Sequence, residues 1–464
     1  MDPITSCIDH LQAVLQGQPI DESIVQKAVS KLTLDTSLTV NDDQIVSALF
    51  PLAIGVLKDT PINSEQAETV ISLVQALLSN KSFSKVLEFA PVELLLEALN
   101  SPSDALQRAA IAQLRLADPP DMVASTPLVE ALVDLVQDSS APPSVVDTLA
   151  VLGSQGPLVR RRLFSGSCLE KLTALFQGKD ATLQSRVMEL VQRVLPADEE
   201  RLIPYEKLVL LDPNEHLVQS NDPLAQMAVL LFYRTLLENV HPSDLVAAIT
   251  PQLEGAFQLF ASDDPLTKSL LLSEIYHLFG ALSRADPEVM QQLDKKYNLT
   301  ASPALTNWND ESAILLMTVL NPDYLADQAP NTISALPINH STIRAIASLS
   351  GNSRTYSLLH VTADKLTHLA FPDLMFVLEA FTYTEWATRD IIQWPSVMDA
   401  LLNVTQLSDK DAITFRQEAL TNLVGKAEQV PLGMWDAAIR RELYKARYGH
   451  SIAPRAEIAD ESAQ

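Results

Sequence analysis

The chain is poor in residues that several common protein classes require. It has only two cysteines, Cys7 and Cys168, too few for a disulfide framework. Glycine is scarce, with 12 in 464 residues, against roughly 7% in average proteins, and folds of strands and tight turns need more. No apolar run reaches the roughly 20 residues that cross a membrane, and Met1-Asp2-Pro3-Ile4 lacks a basic, apolar signal region. These absences favour a helical protein of the cytoplasm or nucleus, without a membrane association.

Basic residues are outnumbered by acidic ones. The chain has 33 Lys and Arg against 58 Asp and Glu, which gives a formal net charge of −25. Non-specific nucleic-acid binding depends on Lys and Arg that release counterions from phosphates, so this balance argues against direct duplex binding. An acidic surface suits a basic protein partner, or simply keeps a protein soluble. Composition alone does not separate these two interpretations.

Motifs for catalysis and cofactor binding are absent from the sequence. No two glycines stand in a G-x-G spacing, and there is no phosphate loop, H-E-x-x-H, C-x-x-C or G-x-S-x-G. The most metal-like set is His360, Asp364 and His368, at four-residue steps on one predicted helix face. Three ligands spread over about 12 Å of one helix cannot meet a single tetrahedral ion. We therefore predict no enzyme, no cofactor and no metal site.

What the sequence does contain is a repeat of 42 residues, marked by four aspartates at that step. The last three of them each precede an apolar stretch with helical character. A fixed period near 40, built of helical pieces, is typical of HEAT and armadillo repeats, which stack to bury their apolar faces. The sequence thus predicts an all-α solenoid of about 11 repeats with a long surface free for a partner. The markers are Asp138, Asp180, Asp222 and Asp264, and the stretches are 183–195, 224–237 and 266–282.

Proline, with 28 residues, often stands where a helix would begin. Proline fits the first helical turn because its missing N–H would have no partner there. An Asp, Ser or Asn often precedes it by a residue or two, as an N-cap should. These prolines are Pro102, Pro142, Pro223, Pro265, Pro322 and Pro372.

The regularity of the repeat spacing changes along the chain and divides it into four segments. Residues 1–120 read as degenerate, capping repeats, and 121–300 as the regular repeats of period 42. Residues 301–448 are predicted to form C-terminal repeats and a cap, and 449–464 a flexible acidic tail. Within the regular part, the helix that begins at Gly166 resembles the third helix of an armadillo repeat, which lines the concave side.

Partner binding is expected at exposed positions of such inner helices, and two further groups are ambiguous. The basic run Arg160-Arg161-Arg162 either binds an acidic segment of a partner or pairs with carboxylates of the neighbouring repeat. The aromatic residues Tyr383, Trp386 and Trp394 form either an interface hot spot or the packing between two repeats. Met434 and Trp435 are predicted to seal the terminal core. The inner-helix candidates are Glu130, Asp134, Lys171, Glu254 and Gln258.

Several segments, in this order along the chain, resemble one family. They are Leu158-Val159-Arg160-Arg161-Arg162-Leu163-Phe164, Leu320-Asn321-Pro322-Asp323-Tyr324-Leu325, Phe381-Thr382-Tyr383-Thr384-Glu385-Trp386 and Trp435-Asp436-Ala437-Ala438-Ile439-Arg440-Arg441-Glu442-Leu443-Tyr444-Lys445-Ala446. The family is that of the fungal high-spontaneous-mutagenesis proteins, which are proteasome-assembly chaperones often labelled DNA mismatch repair proteins. The animal counterpart is proteasome non-ATPase regulatory subunit five. The resemblance runs from about residue 100 to the C-terminus.

The resemblance implies a function that the repeats alone do not. Family members are HEAT/armadillo solenoids that bind the C-terminal small domain of one AAA ATPase of the 19S base, regulatory-particle ATPase subunit one. They hold base assembly intermediates and leave before the holoenzyme is complete. We therefore expect a monomeric assembly chaperone whose concave face binds that domain. The alternatives are a DNA mismatch repair factor and a generic scaffold or adaptor of the same fold.

Overall fold

The computed structural model describes residues 2–34, 42–61, 64–79, 81–239, 243–262, 264–403 and 409–448. Every regular element within these ranges is helical, which confirms the predicted all-α class. None of the described helices is both long and apolar enough to span a bilayer. The predicted acidic tail, 449–464, lies outside the described residues.

The chain divides into two compact units. Unit 1 comprises residues 1–216 and 239–252, and unit 2 comprises residues 217–238 and 253–464. Unit 1 contains α1 (Pro3–Leu15), α2 (Glu22–Leu34), α3 (Asp42–Asp59), α4 (Glu65–Leu78), α5 (Phe83–Phe89), α6 (Val92–Leu99), α7 (Asp104–Arg115), α8 (Asp121–Ala124), α9 (Leu128–Val136), α10 (Ser144–Gln155), α11 (Pro157–Leu163), α12 (Gly166–Phe176), α13 (Ala181–Val194) and α14 (Tyr205–Leu208).

Unit 2 holds nearly all of α15 (Pro223–Asn239), and α16 (Ser243–Ala261) is divided between the two units. The remaining helices of unit 2 are α17 (Pro265–Leu270), α18 (Leu272–Ala285), α19 (Pro287–Tyr297), α20 (Pro303–Thr306), α21 (Glu311–Val319), α22 (Pro322–Gln328), α23 (Pro330–Ala335), α24 (Ile343–Ser350), α25 (Ser353–Leu359), α26 (Ala363–Thr367), α27 (Phe371–Thr382), α28 (Glu385–Ile392), α29 (Pro395–Leu402), α30 (Lys410–Gly425) and α31 (Asp436–Tyr448).

In the central part of unit 1, helices form rows in which most of them pack on the third helix that follows; α1, α2 and α12 instead pack on α3, α4 and α14, two helices on. One row runs α4, α7, α10, α13, and a second runs α6, α9, α12, α14. Leu114, Leu149 and Leu190 of the first row are each at most 1% exposed. A single repeat cannot bury its apolar side, so each helix is completed by its equivalent in the next repeat. Contact at every third helix is the arrangement of a three-helix repeat.

Unit 2 follows the same rule over a longer row. Helices α18, α21, α24, α27 and α30 contact one another in that order, and α22 packs on α25 as α26 does on α29. Phe279, Leu316, Leu349, Leu378 and Leu420 lie along the row, each at most 1% exposed. Both units are thus stacks of helical repeats.

The 42-residue repeat corresponds to a recurring helix start. The carboxylate of Asp180 accepts two backbone N–H groups at the start of α13, at 2.9 and 3.1 Å. Asp222, 42 residues later, caps α15 in the same way at 2.9 and 3.2 Å. One turn further on, buried Gln184 and Gln226 each donate to a carbonyl oxygen that precedes the helix, at 2.7 and 2.6 Å. Asp180 and Asp222 are therefore N-caps, which satisfy N–H groups that a helix start leaves without partners.

The period is less regular than the sequence suggests. The side chain of Asp138 accepts the N–H of Ser140 in a turn, and α10 begins only at Ser144. The stretch 266–282 is not one helix, because the chain breaks at Leu271 between α17 and α18. Repeats of unequal turn length therefore share the same packing.

The prolines mark helix starts to within two residues. Pro223, Pro265 and Pro322 are the first residues of their helices, and Pro372 is the second residue of α27. Pro102 and Pro142 place the helix start two residues too early, because α7 begins at Asp104 and α10 at Ser144.

Arg186 of α13 joins two repeats of unit 1. Its guanidinium donates to the carbonyl oxygens of Asp138 at 2.6 Å, Ser139 at 3.0 Å and Ala141 at 2.8 Å, in the turn between α9 and α10. Charged donors on backbone carbonyls are among the stronger hydrogen bonds.

We expect Arg186→Ala to lower the free energy of unfolding by about 2 kcal/mol, because three carbonyl oxygens lose a charged donor. Urea denaturation followed by circular dichroism measures the effect. The matched control is Arg115→Ala, since exposed Arg115 has no hydrogen bond or ion pair within the described part of the chain. Equal midpoints for the two variants would contradict the role given to Arg186.

Candidate protein-interaction face

The row formed by α6, α9, α12 and α14 presents one side to solvent, and we call this side the third-helix face. Each helix buries a leucine on its inner side: Leu95, Leu132, Leu172 and Leu208 are at most 4% exposed. Because an α-helix has 3.6 residues per turn, a polar residue two positions before or after one of these leucines lies on the opposite side of its helix. The stacking of the row, confirmed above, fixes these polar residues on a common surface.

The third-helix face is predominantly acidic. It carries six carboxylates and two lysines on four adjacent helices. At close spacing such residues produce a negative field that attracts a basic surface. The charged residues are Glu93 and Glu97 on α6, Glu130 and Asp134 on α9, Glu170 and Lys171 on α12, and Glu206 and Lys207 on α14.

Three of the predicted contact residues are held by ion pairs between neighbouring helices. Lys171 of α12 pairs with Asp134 of α9, and Arg162 of α11 pairs with Glu130 of α9. The bond to Asp134 raises the pKa of Lys171. A surface pair such as Lys171–Asp134 generally contributes about 0–1 kcal/mol, whereas the side chain of Glu130 is only 21% exposed. A partner can therefore exchange the Lys171–Asp134 pair for its own charges at little cost in stability.

Four carboxylates of the face have no hydrogen bond or ion pair within the described ranges: Glu93, Glu97, Glu170 and Glu206. All four are exposed. The sequence interpretation missed them, although each stands two residues before or after a buried leucine of its helix and so faces outward. They are the carboxylates best placed to meet a cation from outside.

The basic run divides into one buried and two exposed arginines. Arg160 is 7% exposed, donates to the carbonyl oxygens of Gly153 at 3.2 Å and Ser154 at 3.4 Å, and lies 4.0 Å from the carboxylate of Asp198. Arg161 is exposed and pairs with Glu200 at 2.8 Å. Arg160 is therefore a packing residue, and its burial removes it from the accessible surface.

Glu254 and Gln258 lie on the part of α16 that belongs to unit 2, whereas the third-helix face belongs to unit 1. Glu254 pairs with Lys296 and accepts the Tyr297 hydroxyl at 3.1 Å. The bond from Lys296 is the main reason that the pKa of Glu254 is lowered, and Tyr297 adds to it. Gln258 is half-buried beside the same tyrosine.

The aromatic candidates play different parts. Trp386 is half-buried, and its indole donates to the Ser350 carbonyl at 3.0 Å, so it joins α28 to α24. Tyr383 is 56% exposed, and Trp394 is half-buried. Only Tyr383 offers a large surface to a partner.

The prediction for the end of the chain is wrong in one residue. Met434 is 84% exposed and does not seal the core. It follows Gly433, whose left-handed φ of 55° begins a short 3-10 turn that directs Met434 outward. Trp435 is half-buried and donates to the Ile392 carbonyl at 3.0 Å.

The metal-like residues do not share a helix. His360 ends α25 in the left-handed conformation, at φ 47°, and Asp364 and His368 belong to α26 and its end. Within the residues that the structure describes, no group of three or more His, Cys, Asp or Glu side chains is placed to hold a metal.

Stacked helical repeats define the class: the chain is a HEAT/armadillo-type repeat protein, with a predominantly acidic row of helices in unit 1. Residues 5–238 match the family model described as DNA mismatch repair protein HSM3, N terminal domain, and residues 244–463 match that of the C terminal domain. The chain therefore belongs to the HSM3 family.

Curated relatives agree with this assignment over nearly the whole length. DNA mismatch repair protein HSM3 of Saccharomyces cerevisiae is 22% identical over 98% of both chains. Those of Kluyveromyces lactis and Eremothecium gossypii are each 23% identical, over 95% and 94% of both chains. A solved engineered protein aligns with a TM-score of 0.39 at 14% identity, covering 91% of this chain and 99% of that one.

The carboxyl group of Glu379, which is hydrogen-bonded with Tyr383, predicts a pH dependence of stability. Burial raises the pKa of the Glu379 carboxyl, Glu418 adds to the rise, and the hydrogen bond with Tyr383 opposes it. A raised folded-state pKa stabilises the fold at low pH, and this contribution is lost as pH rises through the folded pKa.

We expect Glu379→Gln to raise the urea midpoint at pH 7.5 and to leave it nearly unchanged at pH 4, because the amide carries no charge to ionise. Exposed Glu428→Gln serves as the control and should shift neither midpoint. A Glu379→Gln protein that is less stable than wild type at pH 7.5 would contradict the assigned pKa direction.

Proposed function

We propose that this protein is an assembly chaperone for the base of the 26S proteasome regulatory particle. It binds the C-terminal small domain of an AAA ATPase subunit, regulatory-particle ATPase subunit one, and keeps base assembly intermediates from docking too early. The proposal is supported by family membership and by the sequence resemblance described above. The observation that carries it is the row of unpartnered carboxylates on stacked helices, a surface suited to a basic domain.

The mechanism follows from the rigidity of the repeats. Because each helix is held by its equivalents in adjacent repeats, the carboxylates of the third-helix face keep their spacing before a partner arrives. Preorganisation reduces the entropy lost on binding. Exchangeable pairs such as Asp134–Lys171 add affinity without locking the complex. Chemistry is not required for this role, and we propose that the protein acts as a monomer in the cytoplasm or nucleus.

Charge reversal on the face tests the proposal. Glu170→Lys should weaken binding to the isolated ATPase small domain about tenfold or more, because it replaces an attraction by a repulsion. The double variant of Glu130 and Asp134 to Lys should do the same, although it also breaks two internal ion pairs. Isothermal titration calorimetry at 50 and 300 mM NaCl measures both.

The control is Glu288→Lys, an exposed acidic residue in the first turn of α19 in unit 2. It changes the net charge of the protein by the same amount as Glu170→Lys. Absence of wild-type binding at micromolar concentration would reject the proposed function. Equal affinities of the Glu170→Lys and Glu288→Lys variants for the ATPase small domain would contradict the role of the third-helix face in the proposed function.

The names of the yeast relatives favour a second candidate, a direct role in DNA mismatch repair. With a net charge of −25, we expect no retention of duplex or mismatched DNA in a gel-shift assay at low salt, where such binding is strongest. A retained complex that disappears as salt is raised would favour this candidate instead.

A further inference from the structure

An open apolar groove lies in unit 1, between α3 and α4 on one side and α6 and α7 on the other. Its volume is about 290 Å³. Ile54 and Leu57 of α3, Val74 of α4 and Leu94 of α6 line it and are all half-buried. Because α4 packs directly on α7, these two helices close the groove beneath. Four aliphatic side chains thus face a space that the described residues leave open.

The size of the groove fits side chains of a second protein. A cavity of about 150 Å³ holds a benzene ring, so about 290 Å³ accommodates two branched or aromatic side chains. An amphipathic helix presents such side chains three or four residues apart, and helix-in-groove docking is a recurring mode of recognition.

The two sides of the groove rim carry charges of opposite sign. Lys58 stands on α3, and Glu97 on α6, with Glu93 one turn earlier. All three are exposed, and none has a hydrogen bond or ion pair with another described residue. An occupant is therefore favoured if it carries a basic residue toward α6 and an acidic residue toward α3.

The groove is also continuous with the third-helix face. Helix α6 supplies both the groove wall, through Leu94, and the first carboxylates of the face, Glu93 and Glu97. A partner that lies along the acidic row reaches the groove without leaving the surface. A basic domain with an apolar helix at one edge satisfies both parts at once.

We propose that this groove is an anchor site for an amphipathic helix of the partner's small domain, a proposal that rests on the function proposed above. The helix inserts two apolar side chains between α3 and α6, a basic residue meets Glu97, and an acidic residue meets Lys58. The groove supplies affinity by burial, whereas the carboxylate row supplies orientation and rate of association.

The test is titration of wild type and groove variants with the isolated ATPase small domain. Leu94→Arg, which places a charge among the lining side chains, should raise the Kd at least about tenfold, as loss of a buried anchor does. Leu158→Arg is the matched control, since Leu158 on α11 is 51% exposed and lies outside the groove. Its Kd should equal that of wild type.

Two milder variants keep the test independent of folding. Lys58→Glu and Glu97→Lys alter exposed rim residues, and each should raise the Kd several-fold with an unchanged thermal midpoint. Wild-type affinity for Leu94→Arg and Lys58→Glu, with Glu170→Lys still weakened, would overturn the groove proposal and leave the proposed function standing. Failure of wild type to bind would reject the proposed function first.

The same variants also test whether a second copy of this chain occupies the groove. Sedimentation velocity would then show a wild-type dimer that Leu94→Arg converts to a monomer and Leu158→Arg does not. That result would overturn the assignment of the groove to a partner helix.

Discussion

The structure depends on the contacts between equivalent helices of successive repeats, most of which are three helices apart in the chain. A short amphipathic helix such as α9, nine residues long, buries too little apolar surface to persist alone. Its side chains Leu128 and Leu132 become fully buried because α6, α10 and α12 pack around it. Every consequence for function follows from this rule, since the rows of equivalent helices are also what place charged residues at regular spacing on a surface.

Polar contacts between residues about 30 to 50 positions apart reinforce the rows. Arg186 bonds carbonyl oxygens in the turn of the preceding repeat, and Lys171 pairs with Asp134 across α9 and α12. Hydrogen bonds from a charged group to backbone carbonyl oxygens are among the stronger ones and orient the helices, whereas exposed ion pairs are weak and exchangeable. The protein thus combines fixed repeats with exchangeable ion pairs on its surface.

Much of the fold is predictable from the sequence because its determinants are local. Asp180 and Asp222 mark helix starts through their own side chains, and leucines at helical spacing identify the buried sides. Features set by tertiary neighbours are not predictable in this way: Arg160 is buried by the carbonyl groups of a preceding helix, and Gly433 turns Met434 to solvent. For the same reason, the groove between α3 and α6 cannot be read from either helix alone.

The central claim is that the row of α6, α9, α12 and α14 is the surface that receives another protein. Hydrogen–deuterium exchange of the whole chain, with and without the isolated ATPase small domain, tests this most directly. The account predicts slower exchange in peptides that cover these four helices, and along α3 beside the groove. Slower exchange confined to helices of unit 2, or no change in any peptide at saturating partner concentration, would contradict it.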